Sequence, residues 1–342
     1  MDKAFKIDQL IFRAMALLVG LGIFAYSVKN FGGLSEVWRQ LKLLDWGYLA
    51  VIANSSLWML GYTVAWRLYL TDQHHLVPYF SLLRIKLCGE AVNFMTPLGF
   101  VLGDSVRVML LQRFLGPEAR LRSVVVDRAT HSLAAQFFCL TSVWFVFTQP
   151  VDFPRGLFLV VFLTYLVIFS AMLTLVVSML RGRGFGLFDP LFHRLNIHNR
   201  FPKLHERLET LRDDLEFYTD KPKRPFVVAF LYHLFGRYLG AVEILIIGYF
   251  FHGEWLFGFS LVLAALTSFF SIVFGFIPGA LGVIETLYAQ FYAFYGFRPE
   301  YGLTVQIIRR LRVLFWVVLG VLILDIPHIK YVVNAHWRHK NL

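Results

Sequence analysis

The sequence contains apolar stretches that are long enough to cross a membrane. Gly156–Leu180, for example, carries no charged side chain over more than the ~20 residues that a transmembrane helix needs. Charged residues make up 16% of the chain, against ~25% in a typical soluble domain, and the mean hydropathy is +0.61. These features predict an all-α polytopic membrane protein that forms a single transmembrane domain over residues 1–342.

The apolar runs define six candidate full spans. They are Leu10–Val28, Trp46–Leu70, Ser123–Thr148, Gly156–Leu180, Pro225–Phe251 and Leu303–Ile326. The first run follows basic residues, as in a signal peptide, but it has spanning length and no clear small-residue cleavage site follows it. We therefore expect it to be the first transmembrane helix.

Two further apolar regions do not fit simple spans. Phe80–Leu111 contains several charged residues and Pro97, and Trp255–Gly296 has about twice the length of one span, with Pro278 near its middle. Irregular backbone is tolerated at membrane depth only where it is buried in protein or lines a polar cavity. We therefore predict two broken or re-entrant helical hairpins, with hinges at Pro97, Gly103, Pro278, Gly279 and Gly282.

Lysines and arginines indicate the orientation, because positively charged loops face the cytoplasm. The loop 181–224 holds ten of them, so we expect this loop and both chain termini in the cytoplasm. The first hairpin then opens to the cytoplasm and the second to the outside. Lys29, Arg39 and Lys42 fall in an outer loop and count against this orientation.

The net charge of +11 fits a protein whose cytoplasmic loops face anionic lipid. Nucleic acid is not an expected partner, because the basic residues are scattered among spans and no nucleic-acid-binding module is present. Cys88 and Cys139 lie in apolar segments without metal-ligand spacing. The sequence has no Walker loop, nucleophile elbow, dinucleotide fingerprint or zinc cluster, so we expect no catalytic residues, no metal and no cofactor.

The two irregular regions share a register that indicates an internal repeat. Pro97 is followed by Asp104 after seven positions, by Arg128 after 31 and by His131 after 34. Pro278 is followed at the same offsets by Glu285, Arg309 and Arg312. The halves would cover about 46–148 and 225–326 and would be inverted, since they open to opposite sides. Chance is the alternative explanation.

At these residues the sequence resembles a known family. Phe276–Glu285, FIPGALGVIE, is similar to the P-G-x-x-G-x-x-E-like signature of the lysylphosphatidylglycerol synthase transmembrane region family, which is also described as flippase-like. Asn93–Arg107, NFMTPLGFVLGDSVR, resembles its first motif, and Arg309–Arg312 also fit. The resemblance implies a role in making or translocating a lipid, in a bacterial inner membrane. Because the chain ends soon after the last span, it implies a stand-alone member without the aminoacyl-transferase domain.

Charged and amide side chains within these apolar segments are the candidate substrate-binding residues, because a charge at membrane depth needs a partner or water. They are Asn93, Asp104, Arg107, Asp127, Arg128, Arg237, Glu243, Glu285, Arg309 and Arg312. Arg309 and Arg312 share a helix face at i, i+3, and we hypothesise that they hold a lipid phosphate.

Several of these residues also have a purely structural interpretation. Glu285 can form an ion pair with Arg309 or Arg310, and Asp104 can pair with Arg107 at i, i+3. Asp127 and His131, at i, i+4, can touch within a local network that tethers the helix. Asn93 can satisfy broken backbone instead of binding substrate.

Two segments outside the spans carry distinctive patterns. Pro202–Tyr218 has leucines at 4-3-4 spacing and a charged opposite face, which predicts an amphipathic helix on the membrane surface, on a partner, or packed on this protein. Ala335–Lys340 is predicted to be a basic membrane-surface anchor.

Three functions fit the sequence. The first is a lipid translocator that moves an anionic phospholipid or another envelope lipid between leaflets and is not itself an enzyme. The second is a lipid-modifying enzyme or enzyme subunit, and the third is a non-catalytic scaffold that binds a lipid-synthesis enzyme, for example in hopanoid or aminoacyl-lipid synthesis.

Overall fold

The computed structural model describes residues 26, 29, 33–95, 99–146, 155–181, 217–275 and 277–323. Every regular element in these residues is helical, which confirms the all-α prediction for this part of the chain. The ten described α-helices are α1 (Gly33–Leu44), α2 (Gly47–Leu68), α3 (Tyr79–Met95), α4 (Gly99–Leu110), α5 (Pro117–Val146), α6 (Arg155–Leu180), α7 (Arg224–His252), α8 (Phe257–Val273), α9 (Val283–Phe294) and α10 (Pro299–Ile323).

The predicted spans that fall within the described residues coincide with the long helices α2, α5, α6, α7 and α10. Within this part of the chain, three segments are long and apolar enough to cross a membrane: α2, α7 and Phe158–Ser178 of α6. Helices α5 and α10, with 30 and 25 residues, also exceed a span in length but carry several charged residues. The protein is therefore an integral membrane protein.

Some predicted features lie wholly or largely outside the described residues. They are the first span Leu10–Val28, the hinge at Pro97, most of the loop 181–224 with its predicted amphipathic helix Pro202–Tyr218, and the basic segment Ala335–Lys340.

Each irregular region forms a pair of short helices. Helices α3 and α8 both have 17 residues, and α4 and α9 both have 12. At 1.5 Å per residue these helices are about 25 Å and 18 Å long, shorter than the ~30 Å hydrocarbon core. Each irregular region is thus two helices and not one continuous span.

The break between α8 and α9 has the backbone conformation that its glycines predict. Gly279 and Gly282 have φ angles of 60° and 81°, in the left-handed region that side chains other than glycine rarely adopt. Ala280, between them, also has a positive φ of 46°. Pro278, Gly279 and Gly282 therefore form a true interruption of the helix.

The packing brings the first and second halves of the chain together. Helix α2 packs along α7 at the centre, α3 packs against α10, and α5 packs against α8. Each half thus supplies helices that are neighbours of the other half. Apolar side chains fill the contacts on both sides of this centre, for example Ile244, Leu263 and Tyr292 on one side and Trp66, Leu82 and Leu111 on the other.

Gly103 lies inside α4, where it allows close packing against α3. A methyl group at this position would lie 2.0 Å from Asn93 Oδ1 and 2.3 Å from the carbonyl oxygen of Gly89. The predicted hinge residue is therefore placed at a tight helix crossing and not in the break itself.

We expect Gly103→Ala to lower the free energy of unfolding by about 1–3 kcal/mol, because the added methyl group forces two helices apart. Thermal unfolding of the detergent-solubilised protein measures this effect. Gly240→Ala in α7 is the control, because a methyl group there would have no atom of another described helix within 4 Å. Equal melting temperatures for the two variants would contradict the proposed packing role.

Candidate functional site

The first group of charged side chains surrounds Asp127 where α3, α4, α5 and α7 meet. Asp127 is 2% exposed, and its Oδ2 accepts hydrogen bonds from Lys86 Nζ at 3.4 Å and from Arg107. Its Oδ1 lies 3.1 Å from His233 Nε2. We call the following residues the Asp127 cluster: Lys86, Asp104, Arg107, Asp127, Arg128, His131, His233 and Arg237.

Asp104 extends this cluster on α4. It accepts hydrogen bonds from Arg107 Nη1 at 3.0 Å and, in bidentate geometry, from Arg128 Nε and Nη2, both at 2.7 Å. The i, i+3 pair of Asp104 with Arg107 is thus formed, as its spacing predicts. Arg107 links two carboxylates, and its guanidinium carbon lies 3.9 Å from the centre of the Trp66 ring.

A chain of hydrogen bonds crosses the cluster between α5 and α7. Arg237 Nη2 bonds His131 Nε2, His131 Nδ1 lies 3.2 Å from His233 Nδ1, and His233 Nε2 faces Asp127. Arg237 and Asp127, at the two ends of this chain, fix the direction of donation along it, because guanidinium only donates and an ionised carboxylate only accepts. Both histidines are therefore neutral, with the proton of His131 on Nδ1 and that of His233 on Nε2. Asp127 bonds His233 and not His131, its expected i, i+4 neighbour.

The second group surrounds Glu243 of α7, whose side chain is 1% exposed. Glu243 Oε1 lies 3.1 Å from Arg312 Nε and 3.8 Å from Arg309 Nε, so two guanidiniums share one carboxylate. Arg309 also donates to the Tyr288 hydroxyl, and the Arg312 guanidinium carbon lies 4.9 Å from the centre of the Trp58 ring. We call these five residues the Glu243 cluster. Glu243 Oε2 is buried without a hydrogen-bond partner among the described residues.

Glu285 is fully buried at the break before α9 and belongs to neither cluster. Its Oε2 accepts the Gly282 N–H at 2.7 Å, and its Oε1 pairs with Arg310. Arg310 Nη2 in turn donates to the Gly279 carbonyl oxygen at 3.2 Å. Of the alternatives that the sequence left open, the ion pair with Arg310 is the one formed. In the register of the two halves, Glu285 is aligned with Asp104 and Arg309 with Arg128, but Glu285 pairs with Arg310 while Asp104 pairs with Arg128.

Asn93 lies beside the undescribed residues of the first hairpin. Its Nδ2 is 3.5 Å from Glu90 Oε2, and its Oδ1 is buried without a partner among the described residues. This contact with Glu90 lies within α3 itself.

Two aromatic side chains of α2 lie between the clusters. The Tyr62 ring is 4.9 Å from His131, 5.2 Å from His233 and 5.8 Å from Trp58 between ring centres. Because Trp58 lies under Arg312, this pair joins the Asp127 cluster to the Glu243 cluster. The Tyr62 hydroxyl is buried without a partner among the described residues.

Positive charge is in excess in both clusters. In the Asp127 cluster, with its histidines neutral, four cations face Asp104, Asp127 and the neighbouring Glu90. The surplus cation is Arg237, whose hydrogen bond goes to neutral His131 and which pairs with no carboxylate among the described residues. In the Glu243 cluster two arginines face one carboxylate.

Sequence reasoning missed several members of these clusters. Lys86, His131 and His233 were not among the predicted binding residues, and His131 was considered only in the repeat register and in a local network with Asp127. Tyr62, Trp58 and Tyr288 gave no signal, because aromatic residues are common throughout the chain. His233 shares a helix face with the predicted residue Arg237 at i, i+4, and this spacing is the signal that could have added His233 to the candidates.

A comparison with family models matches residues 13–321 to the lysylphosphatidylglycerol synthase transmembrane region. The chain belongs to this family. The match covers both clusters and the break at Gly279, so the family is shown for the part of the chain that carries the site. The family name links the chain to membrane lipids. No curated protein and no solved structure matches the sequence.

We expect Glu285→Ala and Arg310→Ala each to lower the free energy of unfolding by about 2 kcal/mol, because each removes a charged hydrogen-bond partner at the break. The double variant should be about as stable as Glu285→Ala alone, because removing the acid also removes the partner that Arg310 serves. Thermal unfolding of the three variants measures the coupling.

The pair of Arg298 and Glu300 provides the control, because its side chains are 51% and 22% exposed and lie 3.5 Å apart. Its double alanine variant should lose less than about 1 kcal/mol, as surface ion pairs do. Independent, additive losses for Glu285 and Arg310 would show that they do not act as a pair.

Proposed function

We propose that this protein moves an anionic lipid between the two leaflets of a bilayer. The observation that carries the proposal is the surplus of guanidinium groups inside the helix bundle: Arg237 has no carboxylate partner among the described residues, and Arg309 and Arg312 share Glu243. A charge held at membrane depth without full compensation is costly and indicates function. Guanidinium matches phosphate with two parallel hydrogen bonds, so a phosphate-bearing headgroup is the fitting ligand.

The proposed path runs between the two clusters. A headgroup would exchange its contacts from the guanidinium of Arg237 to those of Arg312 and Arg309, past the Tyr62 and Trp58 rings. The partners that these arginines have without lipid, neutral His131 and shared Glu243, are weaker than a phosphate with two charged oxygens. The acyl chains would stay in the surrounding lipid.

The fully compensated pairs have a different role in this proposal. Asp104 is held by Arg107 and Arg128, and Glu285 by Arg310 and the Gly282 N–H. Since Glu285 already occupies the first free N–H of α9, it competes there with any lipid phosphate. Asp104 and Glu285 would hold in place the helices that line the path, and their negative charges would lower its net positive charge.

We infer that the chain has six full spans and two re-entrant hairpins in inverted repeats, within a bacterial inner membrane and with cytoplasmic termini. The equal helix lengths in the two hairpins support the repeat. So does the reciprocal packing of α3 on α10 and of α5 on α8, since a two-fold relation between halves exchanges those contacts. A lipid-synthesis enzyme is an additional partner under this proposal.

Reconstitution into liposomes with fluorescent lipids tests the function. We expect the protein to speed leaflet exchange of phosphatidylglycerol, measured with a membrane-impermeant quencher, without changing the lipid chemically. Arg237→Gln should slow exchange about tenfold, because one charge-assisted contact with the phosphate is lost. Arg298→Gln, at an exposed position outside both clusters, should leave the rate unchanged.

Thermal unfolding shows whether the reconstituted protein is folded. If the folded protein exchanges lipid no faster than protein-free liposomes do, the result contradicts translocation. A chemically modified lipid product would show an enzyme instead.

A further inference from the structure

We propose a second lipid-binding site on the outer face of the bundle, separate from the path through the clusters. It is a groove between α2, α3 and α10 that takes one acyl chain of an anionic phospholipid, with the lipid phosphate on Arg84. The shape of the groove and the exposed guanidinium of Arg84 support this site independently of translocation.

The groove has a volume of about 300 Å³, at the lower end of the range for ligand pockets. Its lining is almost wholly apolar, and its larger side chains are Met59, Leu60, Phe80, Leu83, Leu87 and Trp316. Ser56 also lines it, but the Ser56 hydroxyl donates to the Ile52 carbonyl oxygen at 2.8 Å within its own helix. The interior therefore suits a hydrocarbon chain and offers nothing to a polar ligand.

Hydrogen bonds between the three helices hold the walls of the groove in place. Trp316 Nε1 of α10 donates to Ser55 Oγ of α2 at 2.9 Å. The Tyr79 hydroxyl of α3 donates to the Leu60 carbonyl oxygen of α2 at 3.0 Å. The groove is thus formed before any lipid enters it, which lowers the entropic cost of ordering a bound chain.

Arg84 is the charged residue of this groove. It is exposed and has no hydrogen bond or ion pair with any described residue, whereas Lys86, two residues on, is 3% exposed and belongs to the Asp127 cluster. Arg84 lies about 8 Å from the start of α3, so its long side chain can reach the headgroup level. An unpaired guanidinium beside an apolar groove matches the two parts of an anionic phospholipid.

Lipid binding to the detergent-purified protein, followed by native mass spectrometry, tests the site. We expect one phosphatidylglycerol to be retained in preference to phosphatidylcholine, and glycerol phosphate alone not to compete. Arg84→Gln should reduce this preference about tenfold, the loss of one charge-assisted bond. Leu83→Trp should reduce binding of both lipids, because the larger side chain fills the groove. Arg113→Gln, an exposed arginine elsewhere, should bind like the unaltered protein.

If Arg84→Gln keeps the full preference for phosphatidylglycerol over phosphatidylcholine, the proposal is overturned. It is also overturned if the unaltered protein retains both lipids equally, as annular lipid. Equal binding of glycerol phosphate would show a phosphate site that does not need the groove. Should Leu83→Trp fail to fold, Arg84→Gln alone decides, since its side chain is exposed and unpaired.

The hydrogen-bond chain in the Asp127 cluster carries a second, independent inference. We infer that a proton on His131 releases Arg237 for its anionic ligand. His131 Nε2 can accept from Arg237 only while the ring is neutral. A proton there would place a donor against a donor and a cation against a cation, so the guanidinium must turn away. This inference rests on the proposed function, because it assigns Arg237 to the lipid headgroup.

The surroundings of His131 strengthen this effect. The groups that face the two histidines from the neighbouring helices are Tyr62 of α2, Lys86 of α3, Arg107 of α4, Asp127 and Arg128 of α5, and Arg237 of α7. Asp127 is already shared by Lys86 and Arg107, so little negative charge remains for a protonated His131. An anion bound by Arg237 would supply it, and by reciprocity proton uptake and anion binding would strengthen each other.

Binding of fluorescent phosphatidylglycerol to the Arg84→Gln protein, in which the outer groove is weakened, tests this coupling. We expect affinity to rise at least about threefold on acidification from pH 8 to pH 4, a range that extends below the one in which a free histidine titrates. His131→Gln, which cannot take up a proton, should still bind lipid but with a flat pH profile. His74→Gln, an exposed histidine, should keep the pH dependence.

A pH dependence that persists in His131→Gln would overturn the inference while leaving translocation in place. Absence of binding to the Arg84→Gln protein at every pH would overturn it as well. Normal pH-coupled binding without leaflet exchange would refute translocation and leave the proton switch standing.

Discussion

The pairing of Asp127 with Lys86 and Arg107 determines how the helices of this protein meet. One carboxylate on α5 bonds side chains of α3, α4 and α7, all within an apolar bundle. Rotating any of these helices about its axis would leave a charge without a partner in a medium of low dielectric constant, where that is very costly. Apolar packing alone tolerates many helix rotations, so the buried ion pairs select one arrangement.

The degree of charge compensation separates two kinds of buried charge in the bundle. Asp104 and Glu285 have full sets of partners, and these partners lie at the crossing or break that each acid stabilises. Arg237 and the two arginines at Glu243 do not. In the sequence all of these residues look alike, as charges within apolar segments, and only the geometry distinguishes the structural ones from those available to a ligand.

The helices and their breaks could be predicted from the sequence because they depend on local properties. Apolar length predicts α2, α6 and α7, and the glycines predict the turn of positive φ before α9. The i, i+3 pair of Asp104 and Arg107 is likewise local.

Partners between helices could not be predicted, because they depend on how distant segments pack. His131 and His233 are 102 positions apart and become neighbours only when α5 packs on α7. The sequence left Arg309 and Arg310 both open as ion-pair partners of Glu285, and only the packing shows that Arg310 forms the pair. Arg84 and Lys86 are two residues apart and lie in opposite environments, which requires knowing which face of α3 meets the bundle.

The reciprocal packing of the halves has a consequence for biogenesis. Cys88 of α3 contacts the Gly320 carbonyl oxygen of α10, 232 residues later in the chain, at 3.5 Å. When α3 leaves the ribosome, the helix that covers it has not yet been synthesised, and neither has α7, which supplies His233 to Asp127. The first helix pair must therefore wait in the membrane with a polar face uncovered, which makes insertion of this protein dependent on temporary shielding until α7 and α10 have been synthesised.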